Sequence, residues 1–227
     1  MPRLLEVIVT SLHEALEAEI GGADRLELVR SLEDGGLTPD LELARRIVGR
    51  VSIPVRVMLR ENASMSSGGP AEVEILRSRA ETLGQLPIDG LVIGFVREGL
   101  IDSEVMLEIL EAAPNCHATF HRAFEHASDP LAAIRELKRI PQIDRILTRG
   151  GEGAWSERKT RLLEWQQAAA PEIEILMGIG LSTSIFSELK RAPSLLELHA
   201  GRAARIPPTI SGIVDRARVA ALKSALL

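Results

Sequence analysis

Aromatic residues are scarce in this 227-residue chain: tyrosine is absent, and four phenylalanines and two tryptophans make up 3% of it. No basic run is interleaved with them, and the net charge is −5 with a pI near 5.6, which argues against a nucleic acid partner. Cysteine occurs once, at Cys116, which rules out an intramolecular disulfide and suits a reducing compartment. Lysine is confined to Lys138, Lys159, Lys190 and Lys223, all on predicted helices, which argues against a Schiff-base aldolase with a strand lysine. Neither a G-x-S-x-G elbow nor a Walker A loop is present. No apolar stretch of about 18 residues could span a bilayer, and Met1 to Arg3 run directly into a predicted strand rather than a signal sequence. These absences predict a cytoplasmic protein. No Pro/Ser/Gly-rich linker interrupts the chain, which predicts one domain over residues 1–227.

What the chain does contain is a strand-then-helix unit that can be read eight times. Leu4 to Val9, Asp24 to Val29, Pro54 to Leu59, Asp89 to Gly94, Cys116 to His121, Ile143 to Thr148, Ile173 to Gly178 and Leu195 to His199 are short apolar-rich runs bounded by turn-forming residues. Helix start signals fall between them: Ser11, Thr38 with Pro39, Asp102, Asp129 with Pro130, then Ser182 and Ser211. Parallel strands need such crossovers, so the pattern predicts an α/β fold of the (β/α)8 TIM-barrel type, with an open doubly wound sheet as the alternative. Residues 61–69, rich in Ser and Gly, read as a mobile loop after the third strand.

Side chains alternate along a strand, so residues two apart share a face. That rule turns Glu6 and Ile8, Arg25, Glu27 and Val29, Arg56, Met58 and Arg60, His117, Thr119 and His121, and Glu197 and His199 into the barrel. Barrel closure then sets Glu197, Glu6 and Glu27 on three adjacent strands, with Arg56 and Arg60 beside them. Uncompensated charges there would cost several kcal/mol each, so they must pair, change protonation, bind an ion or face a wet pocket. One reading is a structural ion-pair network; the other is a site at the C-terminal end of the strands, where barrel enzymes hold their chemistry. In the second, His121 is the general acid or base, with Glu6, Glu27 or Glu197 as partner carboxylate. Arg60 and Arg122 bind an anion, assisted by glycines that follow late strands, Gly151, Gly178 and Gly180.

The stretches GGADRLEL (21–28), GGLTPD (35–40), PVRVMLR (54–60), DGLVIG (89–94), TFHRAFE (119–125), RILTRGG (145–151) and LLELH (195–199) resemble, in order and over most of the chain, the CutC family of copper homeostasis proteins. The resemblance implies a (β/α)8 barrel that self-associates, as a dimer or tetramer, and binds copper through cysteines near the first two strands. Here those positions hold Ile8 or Val9 and Val29, and a glycine/aromatic segment expected after Arg60 is replaced by Glu61 to Met65. The inward ligands left for copper are His121, His199 and Met58. Three functions therefore stand: a copper-binding homeostasis protein, a barrel enzyme acting by acid/base chemistry on a small anionic, possibly phosphorylated, substrate, and a non-catalytic scaffold.

Overall fold

Strand formation follows the apolar runs closely. In the computed structural model, which describes residues 3–178 and 192–226, they become β1 (Leu4–Val9), β2 (Arg25–Leu28), β3 (Val55–Met58), β4 (Gly90–Ile93), β7 (His117–Phe120), β8 (Ile143–Thr148), β9 (Glu174–Met177) and β10 (Glu197–Ala200). All pair in parallel, and β1 pairs with both β2 and β10, so the sheet closes into an eight-stranded barrel and the open sheet is excluded. The shorter pairs β5 (Val96–Arg97) with β6 (Leu100–Ile101), and β11 (Arg205–Ile206) with β12 (Ile213–Val214), are antiparallel hairpins outside the barrel.

Alternation divides the apolar residues between two cores. Leu5, Val7, Val9, Leu26, Leu28, Val55 and Val57 join the large core between the barrel and its helices. Ile8, Val29, Met58 and Val92 form a small separate cluster inside the barrel. The surrounding helices are α1 (Leu12–Ile20), α2 (Leu41–Val48), α3 (Pro70–Gly84), α4 (Ser103–Leu110), α5 (Pro130–Leu137), α6 (Trp155–Ala169) and α7 (Arg216–Leu226). Among the described residues no helix is long and apolar enough to cross a membrane.

Local signals differ from the sequence reading at four places. Ser11 and Asp129 do cap their helices, accepting from the Glu14 and Ala132 amides, but α2 is capped by Asp40 rather than Thr38. The Thr38 hydroxyl instead donates to the Arg60 carbonyl at 3.0 Å and accepts the Arg60 N–H at 2.8 Å, fixing the end of β3. Asp102 does stand at the N-cap position of α4, but its side chain makes no cap bond and lies 3.4 Å from Arg97. Ser211 starts no helix; it sits in the β11–β12 turn, and α7 begins after Asp215, which accepts from the Arg218 amide at 2.9 Å. Ser182 lies outside the described residues. Residues 61–69 do not run free: Asn62 donates to Glu72 at 2.6 Å, the Ala63 carbonyl accepts from Arg60, and the Met65 carbonyl accepts from the Val96 amide at 2.7 Å.

Candidate functional site at the barrel mouth

The inward polar side chains separate into two levels. At the N-terminal end of the strands, Arg25 donates to Glu6 at 2.5 Å and to Glu197 at 2.8 Å, and Arg145 clasps both oxygens of Glu197 at 2.7 and 2.9 Å. Arg56 forks onto both oxygens of Asp144 and also reaches Asp89 and Thr119. Arg56 stands beside Glu27 in register as expected but pairs with Asp144 and Asp89, while Arg25 is the arginine bonded to Glu6 and Glu197. One expectation is corrected here. Glu197, expected as a carboxylate of the mouth, opens β10 opposite Leu4 and has both oxygens spent on arginines. His117, also at a strand start, has a 62% exposed side chain and lies 3.6 Å from Asp144.

At the C-terminal end a cavity of about 360 Å³ opens over Ile8, Met58 and Leu147. Glu27 and His199 line one side. His199 Nδ1 lies 2.9 Å from Glu6 Oε1 and 3.5 Å from Glu27 Oε2, between two buried carboxylates. Burial works against ionisation of Glu6, but Arg25 and His199 outweigh it and hold its carboxyl far below the usual range. Among the described residues Glu27 has no arginine in hydrogen-bonding contact, and its Oε2 has no hydrogen-bond partner. Burial, opposed by His199 and reinforced by Glu6, pushes it up to about 7. His199 is desolvated too, yet Glu27 and Glu6 raise its affinity for a proton.

The other side is cationic. Arg60 is 3% exposed, and its guanidinium is solvated by carbonyls: Ala63 at 2.6 Å, Gly36 at 3.3 Å, Asp34 at 3.4 Å and Gly35 at 3.5 Å. Among the described residues no carboxylate comes within ion-pairing distance, and its Nε is unpartnered; burial and the neighbouring Arg122 depress its proton affinity. Arg122 and Arg202 also line the cavity, and neither guanidinium bonds to any described residue.

His121 completes the wall. Its Nδ1 accepts the Ala123 N–H at 3.1 Å, so the neutral ring carries its proton on Nε2, which is buried without a partner. Burial, then Arg60 and Arg122, lower its pKa to about 3, which keeps the ring neutral. Gly94 makes room for it, since a Cβ there would sit 2.7 Å from Nδ1.

The cavity thus gathers Glu27, Arg60, Arg122, His121, His199, Met58 and Gly178. Glu6 lies just beneath, reached through His199. Gly151 does not line it, standing instead against Arg161 on the loop after β8, and Gly180 lies outside the described residues. Arg202 and Met65 are lining residues that the sequence reading missed. For Arg202 a signal was available, because it directly follows Gly201 at the end of the last barrel strand.

The CutC family model matches residues 3–204. A family protein CutC from Mesorhizobium japonicum is 32% identical over 208 residues, 91% of this chain and 80% of that protein. The human copper homeostasis protein cutC homolog is 31% identical over 197 residues, 86% of this chain and 72% of its own. The crystal structure of CutC from Streptococcus agalactiae, named a putative copper homeostasis protein, superposes with a TM-score of 0.79 at 24% identity, covering 88% of this chain and 98% of that one. Phosphoribosyl anthranilate isomerase from Thermococcus kodakaraensis shares the barrel at a TM-score of 0.60 and 16% identity, covering 99% and 98%. At such identities these structures speak for the fold alone.

Proposed function

The chain belongs to the CutC family, and we propose that its working site is the barrel mouth, which binds a small anionic molecule and moves protons on it. The observation that carries this reading is Arg60, a buried guanidinium with carbonyl partners and, among the described residues, no counter-ion in contact, beside Arg122 and Arg202, whose guanidinia bond to no described residue. An isolated buried cation is costly, and an anion in the cavity would relieve it. The volume lies at the small end of ligand pockets.

Relatives named copper homeostasis proteins raise the question of a copper site. Cu(I) favours thiolate and thioether ligands. Cys116 is buried at the edge of the outer core, its thiol pushed up by burial and by Asp89, and Met58 is packed in the inner apolar cluster. His121 Nε2 bears a proton as long as Ala123 donates to Nδ1, and His199 Nδ1 is engaged by Glu6. Glu6, Glu27 and His199 do bring donor atoms within 4.8 Å of one another, but these are hard oxygens and an imidazole, with charges already balanced by Arg25 and by each other. The residues present do not fit a Cu(I) centre.

Calorimetric titration with inorganic phosphate and 2-phosphoglycolate tests the reading. Saturable binding weakened at least tenfold by Arg122→Ala and by Arg60→Ala is expected, since charge-assisted hydrogen bonds to guanidinium would be lost. Absence of anion binding, with stoichiometric Cu(I) uptake against a competing chelator, would overturn it.

A further inference from the structure

We propose that the mouth performs carbonyl chemistry, with the Glu27 carboxylate moving a proton on the carbon next to a carbonyl while His121 Nε2–H holds the carbonyl oxygen of an anionic substrate. This rests on the anion-site reading and gives it a reaction class. The two groups stand on different walls, Glu27 on β2 and His121 just after β7, with β3 and β4 between them, and both line the cavity. Each keeps one buried atom without a hydrogen-bond partner among the described residues, an acceptor on Glu27 and a donor on His121. Between them lies Arg60, which would hold the phosphate or carboxylate head group.

The donor role of His121 is structural. Ala123 occupies the Nδ1 lone pair, so the ring offers Nε2–H and cannot act as a base through that atom while the bond lasts. A neutral imidazole is a competent electrophile toward a developing enolate, and a preorganised donor of this kind is the usual source of transition-state stabilisation. On the opposite wall, a carboxyl whose pKa lies near 7 can both take and return a proton at neutral pH. The groups that bear on it are His199, Glu6, Arg122 and Arg25. His199, hydrogen-bonded to Glu6 and 3.5 Å from Glu27, is a positioning residue whose charge favours the ionised form of Glu27.

The step balances within the site. Glu27 removes the α-proton, the C–H pair becomes the C=C of the enolate, and the carbonyl π pair moves to oxygen, which accepts from His121. Return of the proton from the same carboxyl to the same face of that carbon restores the centre, leaving deuterium there in D2O, with no external electron donor or acceptor.

The test is deuterium entry from D2O, followed by proton NMR, into dihydroxyacetone phosphate, glyceraldehyde 3-phosphate, ribulose 5-phosphate and pyruvate. These probes separate phosphate from carboxylate as head group. At least one probe is expected to exchange 100-fold or more above buffer, with a rate that rises through about pH 7 and holds at pH 8. Glu27→Gln should lose at least 100-fold and His121→Ala at least 30-fold, both while still binding phosphate. No exchange in any of the four probes while phosphate still binds would overturn the reaction class and leave the anion site standing. Exchange that survives Glu27→Gln would overturn the assignment of the base, and failure of the wild type to bind phosphate would overturn the anion site itself.

Discussion

Glu27 shows what a single misplaced-looking charge does to a barrel. Its carboxyl titrates near 7 in the folded chain and near 4.5 when unfolded, so the native state binds the proton more tightly. Stability from this group is therefore present at low pH and is lost as the pH rises through about 7. Glu27→Gln should match the wild type at pH 5 and exceed it by roughly 2 kcal/mol at pH 8, a gap that urea denaturation at the two pH values would measure. Arg25 behaves oppositely, because Glu6 and Glu197 both depend on it. Arg25→Met strands two buried carboxylates and should cost about 3–5 kcal/mol in the same assay. The inward direction of Arg25, Glu27, Arg60 and His199 was legible in the sequence from the period of two. Their partners were not, since Arg25 and Glu197 lie 172 positions apart and a period says nothing about which charges meet.

Elements were read better than their junctions. All eight barrel strands follow from runs such as LLEVIV, because apolar residues buried on both faces leave little other choice. Hairpin β11–β12 escaped notice since its register depends on Arg205, whose guanidinium binds Glu14, the Gly212 carbonyl and the Ile8 carbonyl rather than on any local alternation. Thr38 looked like a cap because a hydroxyl suits one, yet its tertiary partner Arg60 won. Close strand approach also has a test. A Cβ at Gly90 in β4 would stand 2.4 Å from the His117 carbonyl oxygen, and backbone cannot swing aside. Gly90→Ala should lower stability by about 1–3 kcal/mol, read as a lower denaturation midpoint. Asp40→Ala should cost about 1 kcal/mol through loss of the α2 cap.

For the whole molecule, net charge misleads. The chain carries −5, yet among the described residues its mouth presents Arg60, Arg122 and Arg202 against one carboxylate of intermediate pKa. Opposing signs of this kind guide anions to one end of the barrel. Phosphate affinity should fall several-fold between about 20 and 200 mM salt as the exposed Arg122 and Arg202 are screened, and Arg60→Ala should change the affinity without changing that slope. Glu6 carries a broader consequence. One of its oxygens is held by Arg25 in the ion-pair level and the other by His199 in the mouth. The load-carrying base and the reactive rim therefore share an electrical joint, and a substitution as remote as Arg145 would retune the proton affinity of the rim through Glu197, Arg25 and Glu6. Barrels are often said to vary their loops over an indifferent frame; in this one the frame sets the voltage at which the rim operates.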